Sequence, residues 1–215
     1  IVEGEMEGKE WEEGWAALKS VWASRWNARA FYSCRRAGMT LEAVQMAVLV
    51  QRLVEAEYAF VIHTVNPSTN DASEMYAEIV VGLGESLVGN YPGRALGFSC
   101  KKDGSAPPQV LSLPSKSDSL HGAGLIFRSD SNAEDLPGFA GAGLFDSVPC
   151  VKNEVRTVVY SEQRLMMDPG VAEEIMRGVC KVATDVEAAM GGVPQDIEGC
   201  VKGGKFYVVQ TRPQV

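Results

Sequence analysis

Residues 195–214 read QDIEGCVKGGKFYVVQTRPQ, two runs of strand-forming chemistry around a pair of glycines. Asp196 and Glu198 are two positions apart, so both project from one face of the first strand. Gln210 and Arg212 share a face of the returning strand for the same reason. Whether the two pairs meet depends on the turn. A two-residue loop at Gly203-Gly204 pairs Lys202 with Lys205, sets Glu198 against Val209 and sends the pairs to opposite faces. A three-residue loop with a glycine bulge pairs Lys202 with Phe206. Glu198 then faces Gln210, and Asp196 faces Arg212. The expectation is therefore an odd-numbered loop.

Two acids, an amide and a guanidinium are poor core filler, because buried charges need partners. They suit a Mg²⁺-nucleotide, with carboxylates as hard oxygen ligands and Arg212 neutralising phosphate oxygens. A surface hairpin with a cross-strand ion pair is the plainer alternative, and the pattern alone leaves it open.

For the chain as a whole, 215 residues at 46% apolar and 22% charged describe a globular protein, which excludes a disordered tail or a disulfide scaffold. A net charge of −8 argues against broad nucleic-acid binding but allows one phosphorylated ligand held by a few cations or a metal. Cys34, Cys100, Cys150, Cys180 and Cys200 are widely spaced and contain no C-x-x-C pair. That pattern predicts neither a zinc ribbon nor an oxidised framework, with a reducing compartment as the default. No run approaches the roughly 18 apolar residues of a membrane span. The opening IVEGEMEGKEWEEG, residues 1–14, is acidic and glycine-interrupted, and reads as a linker or the truncated edge of a longer chain.

From Trp15, a helical period runs through Leu18, Trp22, Trp26 and Ala30 to a stop at Gly38. An indole removes much apolar area from water, so this stripe is expected in the core. MAVLVQRLV (46–54) and YAFVIHTV (58–65) suggest an antiparallel hairpin, and EMYAEIVVG a third strand after the turn cluster 66–71. Residues 101–124 are dense in Pro, Ser, Gly and Lys, which predicts a mobile loop with one short strand near 110–113. A helix over 171–190 precedes the terminal hairpin. The fold class is α/β (α+β), strands in series with flanking helices.

Two further constellations accompany the hairpin. In FRSDSNAED, Arg128 leaves a strand into a turn whose serines and amides could take phosphate, followed by Gly138, Gly141 and Gly143. Asp130, Glu134 and Asp135 could orient Arg128 or reach a metal, although SDSNAED is also sound loop chemistry with no ligand. Glu78 precedes Gly82-Leu83-Gly84-Glu85, where a carboxylate could reach ribose hydroxyls or the metal. His63, inside an apolar strand, reads as structural, and His121 as solvated. There is no Gx4GK[ST], HExxH or GxSxG motif.

Together these segments resemble the ATP-binding domain of pyruvate, phosphate dikinase and phosphoenolpyruvate synthase, through QDIEGCVKGGKFYVVQTRPQ, RSDSNAEDLPGFAGAG, HTVNPSTN and AEIVVGLGESLVG. VWASRWNARAF, YAFVIHTVNPS, YAEIVVGLGESLVGNYPGRAL and AGAGLFDSVP make the chain similar, from about Trp11 to Val215, to the C-terminal ATP-binding domain of the alpha-glucan, water dikinases. The resemblance implies an ATP-grasp-like mixed sheet with an incomplete N-terminal lobe, within a single partial domain. It also implies a dikinase reaction. The β-phosphate of ATP passes to a histidine on another domain and then to a hydroxyl of starch-like glucan, and the γ-phosphate passes to water. Carried over by position, Glu198, Gln210 and Arg212 handle phosphates and Mg²⁺ with Asp196 supporting, Glu85 contacts nucleotide, and Arg128 matches the family's RSS arginine. In the pyruvate and phosphoenolpyruvate enzymes the RSS-type segment precedes the NPS-type strands, whereas here Arg128 follows them. The implied partners are ATP, a phosphohistidine domain of the same longer chain, and glucan bound by other domains, in the plastid stroma. No nucleic acid or membrane is expected, and the fragment alone is expected to be inactive. Another dikinase, or a non-catalytic nucleotide-sensing module, remains the alternative.

Overall fold

The computed structural model describes residues 9–89, 91–136, 139–140 and 143–214. In chain order the helices are α1 (Lys9–Ala23), α2 (Ala28–Arg36), α3 (Glu85–Val88), α4 (Arg164–Met167) and α5 (Pro169–Ala189). The first strands are β1 (Met46–Arg52), β2 (Tyr58–His63), β3 (Glu74–Val81), β4 (Leu96–Lys101), β5 (Gln109–Ser112), β6 (Asp118–His121) and β7 (Leu125–Ser131). Next come β8 (Asp135–Leu136), β9 (Phe139–Ala140), β10 (Val148–Pro149), β11 (Glu154–Thr157), β12 (Gln195–Lys202) and β13 (Lys205–Pro213). The architecture is α+β and ATP-grasp-like, divided into two compact units. One is built chiefly from Ile1–Val54 and Gly122–Asn153, the other from Glu55–His121 and Glu154–Gln214.

In the first unit β1, β7 and β10 form an antiparallel sheet in that order, and α1 packs on one face of it. The stripe α1 buries is small: Gly14, Ala17 and Val21, followed by Ser24 just past the helix end. Ala17 and Val21 meet Phe127. Spacings of three and four put these positions on one side, and their size lets the helix axis approach the strands. The expected tryptophan core is thereby overturned. Trp15, Trp22 and Trp26 are 43%, 42% and 63% exposed, and Trp15 packs against Trp11 and Trp22 instead. The helix starts at Lys9, inside the stretch read as a linker. The helical period is also broken at Asn27, whose extended backbone separates α2 from a 3-10 turn at Ser24–Trp26. Gly38, at φ +74°, does end α2.

The second unit is a six-stranded antiparallel sheet in the order β13-β12-β2-β3-β4-β5. One face carries Phe60, Ile62, Met75, Ala77, Ile79, Phe98 and Ile197, all nearly sealed from water. The long helix α5 covers it with Ile175, Met176, Val179 and Ala183. Asp168 caps α5, its Oδ1 accepting from the Gly170 and Val171 amides at 3.0 and 3.2 Å, and Pro169 supplies a pre-set first turn.

Three expectations are corrected here. The runs at 46–54 and 58–65 do not pair with each other: β1 pairs with β7, and β2 lies between β12 and β3. Segment 101–124 holds two strands rather than one; β5 extends the large sheet and β6 pairs with β11. Against the expectation of no oxidised cysteine, Cys100 of β4 is bonded to Cys180 of α5 inside the core, while Cys34 and Cys200 are buried free thiols.

Candidate functional site

The terminal hairpin has a two-residue turn. Lys202 pairs with Lys205, and Gly203 and Gly204 both adopt positive φ, 56° and 70°. That is the conformation a tight primed turn demands and a Gly-Gly pair takes without strain. The odd-numbered loop is therefore wrong. The facing it was invoked to explain is nevertheless present, because the register slips further along, between Glu198 and Gly199. Gly199 sits opposite Val208, Glu198 opposite Gln210 and Asp196 opposite Arg212, leaving Val209 as the extra residue of a β-bulge. Gly199 belongs at this point because a Cβ there would lie 2.2 Å from the Phe60 ring and 2.7 Å from the Tyr207 carbonyl oxygen.

Neighbouring strands extend this polar face. Asp196 stands opposite His63 on β2, which stands opposite Tyr76 on β3. Glu198 stands opposite Val61, which stands opposite Glu78. Two parallel rows therefore cross four strands: Arg212, Asp196, His63 and Tyr76 in one, Gln210, Glu198, Val61 and Glu78 in the other. All eight residues are half-buried. On β12, β2 and β3 the neighbours Ile197, Ile62 and Ala77 point into the apolar core, so alternation collects these groups on the side away from α5.

Within the face, one oxygen of Asp196, Oδ2, accepts from Arg212 Nε at 3.0 Å and Nη2 at 2.7 Å. Tyr76 donates its hydroxyl to Glu78 Oε1 at 2.9 Å. Burial first, then that bond and the carboxylate's charge, push the Tyr76 phenol up to about 12. His63 Nδ1 lies 3.8 Å from Asp196 Oδ1. Reading His63 as a plain structural residue missed this carboxylate, which is distant in sequence and directly opposite in space.

Glu85 is the exposed first residue of α3. A Cβ on the preceding Gly84 would come 3.7 Å from that of Ala59, which shares the polar face with Val61 and His63. Glu85 thus stands at one end of that face. Arg128 lies in the first unit, on β7 opposite Leu49, pointing away from the α1 side that Phe127 occupies. Part of the neighbouring turn has structural employment: Asn132 accepts from the Gln45 amide at 2.8 Å and donates to the Ala43 carbonyl at 3.1 Å. Gly138, Gly141 and the Asp135 side chain lie outside the described residues.

Among the described residues no three His, Cys, Asp or Glu side chains converge as a metal cage. Glu198 and Gln210 stand opposite each other across the strand pair, and both side chains carry oxygen. That suits Mg²⁺, which takes one or two protein ligands and completes its shell with phosphate and water. Asp196 is committed to Arg212. A cavity of about 450 Å³ in the second unit is lined by other residues, among them Tyr58, Ser119, His121, Arg156, Gln163 and Arg164. His121, expected in solvent, is half-buried there with Nε2 3.0 Å from Ser119 Oγ, and burial followed by the Arg156 charge lowers its pKa.

Residues 5–93 match the family model for the pyruvate phosphate dikinase AMP/ATP-binding domain. Over 99% of its length the chain is 53% identical to the chloroplastic alpha-glucan water dikinase of Citrus reticulata and 52% identical to that of Solanum tuberosum. It spans 14% of the length of each. Over 91% of the chain it is 26% identical to a rifampicin phosphotransferase of a Streptomyces species, 19% of which it spans.

Proposed function

We propose that the chain is the Mg-ATP-handling module of a glucan dikinase, a reading supported by the match of residues 5–93 to the pyruvate phosphate dikinase AMP/ATP-binding domain and by the 53% and 52% identity to two alpha-glucan water dikinases. In this reading Arg212 grips phosphate oxygens, Asp196 holds that guanidinium in place, Glu198 and Gln210 hold Mg²⁺, and Glu85 contacts the nucleotide. Arg128, carried over from the FRSDSNAED segment, is assigned a phosphate-binding role of its own. The metal would supply charge neutralisation at the transferring phosphoryl group. The protein's share is positioning and preorganised charge, which is most of what phosphoryl transfer requires. The β-phosphate then passes to a histidine on another domain of a longer protein and on to a glucan hydroxyl, with the γ-phosphate going to water. The names of the two close relatives support a plastid location for that protein.

The observation that supports this reading is the pairing of Glu198 with Gln210 and of Asp196 with Arg212 on one polar sheet face. Calorimetric titration of Mg-ATP into the chain tests it. Arg212→Ala is expected to weaken binding at least about tenfold, the loss of a charge-assisted contact. Glu198→Gln is expected to weaken binding with Mg²⁺ present and to leave metal-free ATP binding unchanged. If both variants bound Mg-ATP like the parent chain, or if the longer dikinase turned over normally with both changes, the assignment would fail.

A further inference from the structure

We infer that His63 is a positioning residue for the phosphate grip: it clamps the free edge of the Asp196 carboxylate, so that Arg212 is held in one orientation. This inference rests on the Mg-ATP reading of the hairpin.

The motive is a pair of anomalies that face each other. Buried polar atoms are nearly always hydrogen-bonded, and each exception calls for an explanation. Among the described residues His63 Nδ1 and Asp196 Oδ1 are both shielded from water and both without a hydrogen-bond partner. They lie 3.8 Å apart, on strands paired so that His63 stands directly opposite Asp196. A ring nitrogen and a carboxylate oxygen at that spacing are about 1 Å from a normal N–H···O bond, within the reach of small side-chain rotations. Asp196 has already committed Oδ2 to Arg212. Its other oxygen is therefore the acceptor that an Nδ1–H imidazole can take.

The consequence is mechanical. A carboxylate held from one side only can swing about its Cβ–Cγ bond and carry the guanidinium with it. Held at Oδ2 by Arg212 and at Oδ1 by His63, it has one plane, and Arg212 keeps its Nη1 edge in a fixed direction for a phosphate. On an otherwise apolar strand, His63 is the residue whose chemistry core packing does not explain.

The test uses the full chain, Mg-ATP as the probe, and four variants: His63→Phe, His63→Asn, Arg212→Ala and the double His63→Phe/Arg212→Ala. Phenylalanine keeps the ring and removes the donor, whereas the asparagine amide nitrogen can occupy the place of Nδ1. His63→Phe is expected to weaken Mg-ATP binding about tenfold, as loss of one bond to a charged group would, and His63→Asn to recover to within about threefold of the parent. In the Arg212→Ala background His63→Phe is expected to add nothing, because the residue acts only through that arginine. Additive losses, or full binding by His63→Phe while Arg212→Ala is weak, would overturn the inference and leave the hairpin reading standing. An Arg212→Ala chain that binds normally would remove the premise as well. Should His63→Phe fail to fold, the imidazole ¹⁵N–¹H spectrum of the parent chain decides. Protonation at Nδ1 is expected, and a ring protonated at Nε2 alone would end the proposal.

Discussion

Asp196 and Arg212 face each other across β12 and β13, and a single oxygen, Oδ2, receives both Nε–H and Nη2–H of the guanidinium. The pair is mostly buried, with side chains 14% and 26% exposed. Asp196→Asn removes the charge assistance and should destabilise by about 2 kcal/mol, typical of a hydrogen bond to an ionised group. For a chain of this size that lowers Tm by roughly 4–8 °C in a thermal melt. An unchanged Tm would mean that solvent already screens the pair.

The glycines of the hairpin separate two kinds of constraint. Gly204→Ala meets open space and strains only the backbone, at φ +70°, for a cost of about 1 kcal/mol. Gly199→Ala drives a methyl into Phe60 and should cost about 1–3 kcal/mol. Chemical denaturation of both variants checks the order. If Gly204→Ala were the more damaging, the bulge would be looser than its packing implies.

Tyr76 should reveal itself in an alkaline absorbance titration, as a phenol that ionises near 12. The folded value is raised, so the stability tied to the neutral phenol is complete below the ordinary value of 10 and lost as pH rises through about 12. Glu78→Gln removes the neighbouring charge and should bring the late transition down. No movement on that substitution would leave burial as the whole cause.

At the acid end, Asp71 accepts from the Ser73 hydroxyl and amide and from Lys101, which together hold its carboxyl at about 2 against an ordinary 3.8. Its contribution is therefore present above the ordinary value and disappears as pH falls through about 2. The Tm difference between the parent and Asp71→Asn should shrink towards zero across that interval. A gap that persisted at pH 2 would point to a role for the side chain other than its charge.

Bridging β4 to α5 across 80 residues of chain, the Cys100–Cys180 bond should contribute about 2–4 kcal/mol. Reductant should lower Tm in the parent and leave Cys180→Ser unaffected. Equal sensitivity in both would show that the bond does not form in solution.

What the sequence disclosed, and what it hid, follows the range of the interactions involved. The helix ending near residue 189, the strand at 74–81 and the terminal hairpin were legible, because caps, alternation and glycines act locally. The partner of β1 was not, since β7 lies far along the chain and nothing near residue 46 announces it. For α1, hydrophobicity pointed at the tryptophans, whereas close packing chose Gly14, Ala17 and Val21, and size outweighed transfer energy. In the candidate site, Asp196, Glu198, Gln210 and Arg212 could be named from spacing of two. His63 and Glu78 join them only through the order of strands in the sheet.

The bulge at Val209 lies between the turn and the polar residues, so the tip of the hairpin and its polar end keep separate parity. A change of register at the tip is open to absorption at the bulge before it reaches Gln210 and Arg212. The loop end should therefore tolerate grafted peptides and labels, a practical handle that leaves the four polar side chains untouched.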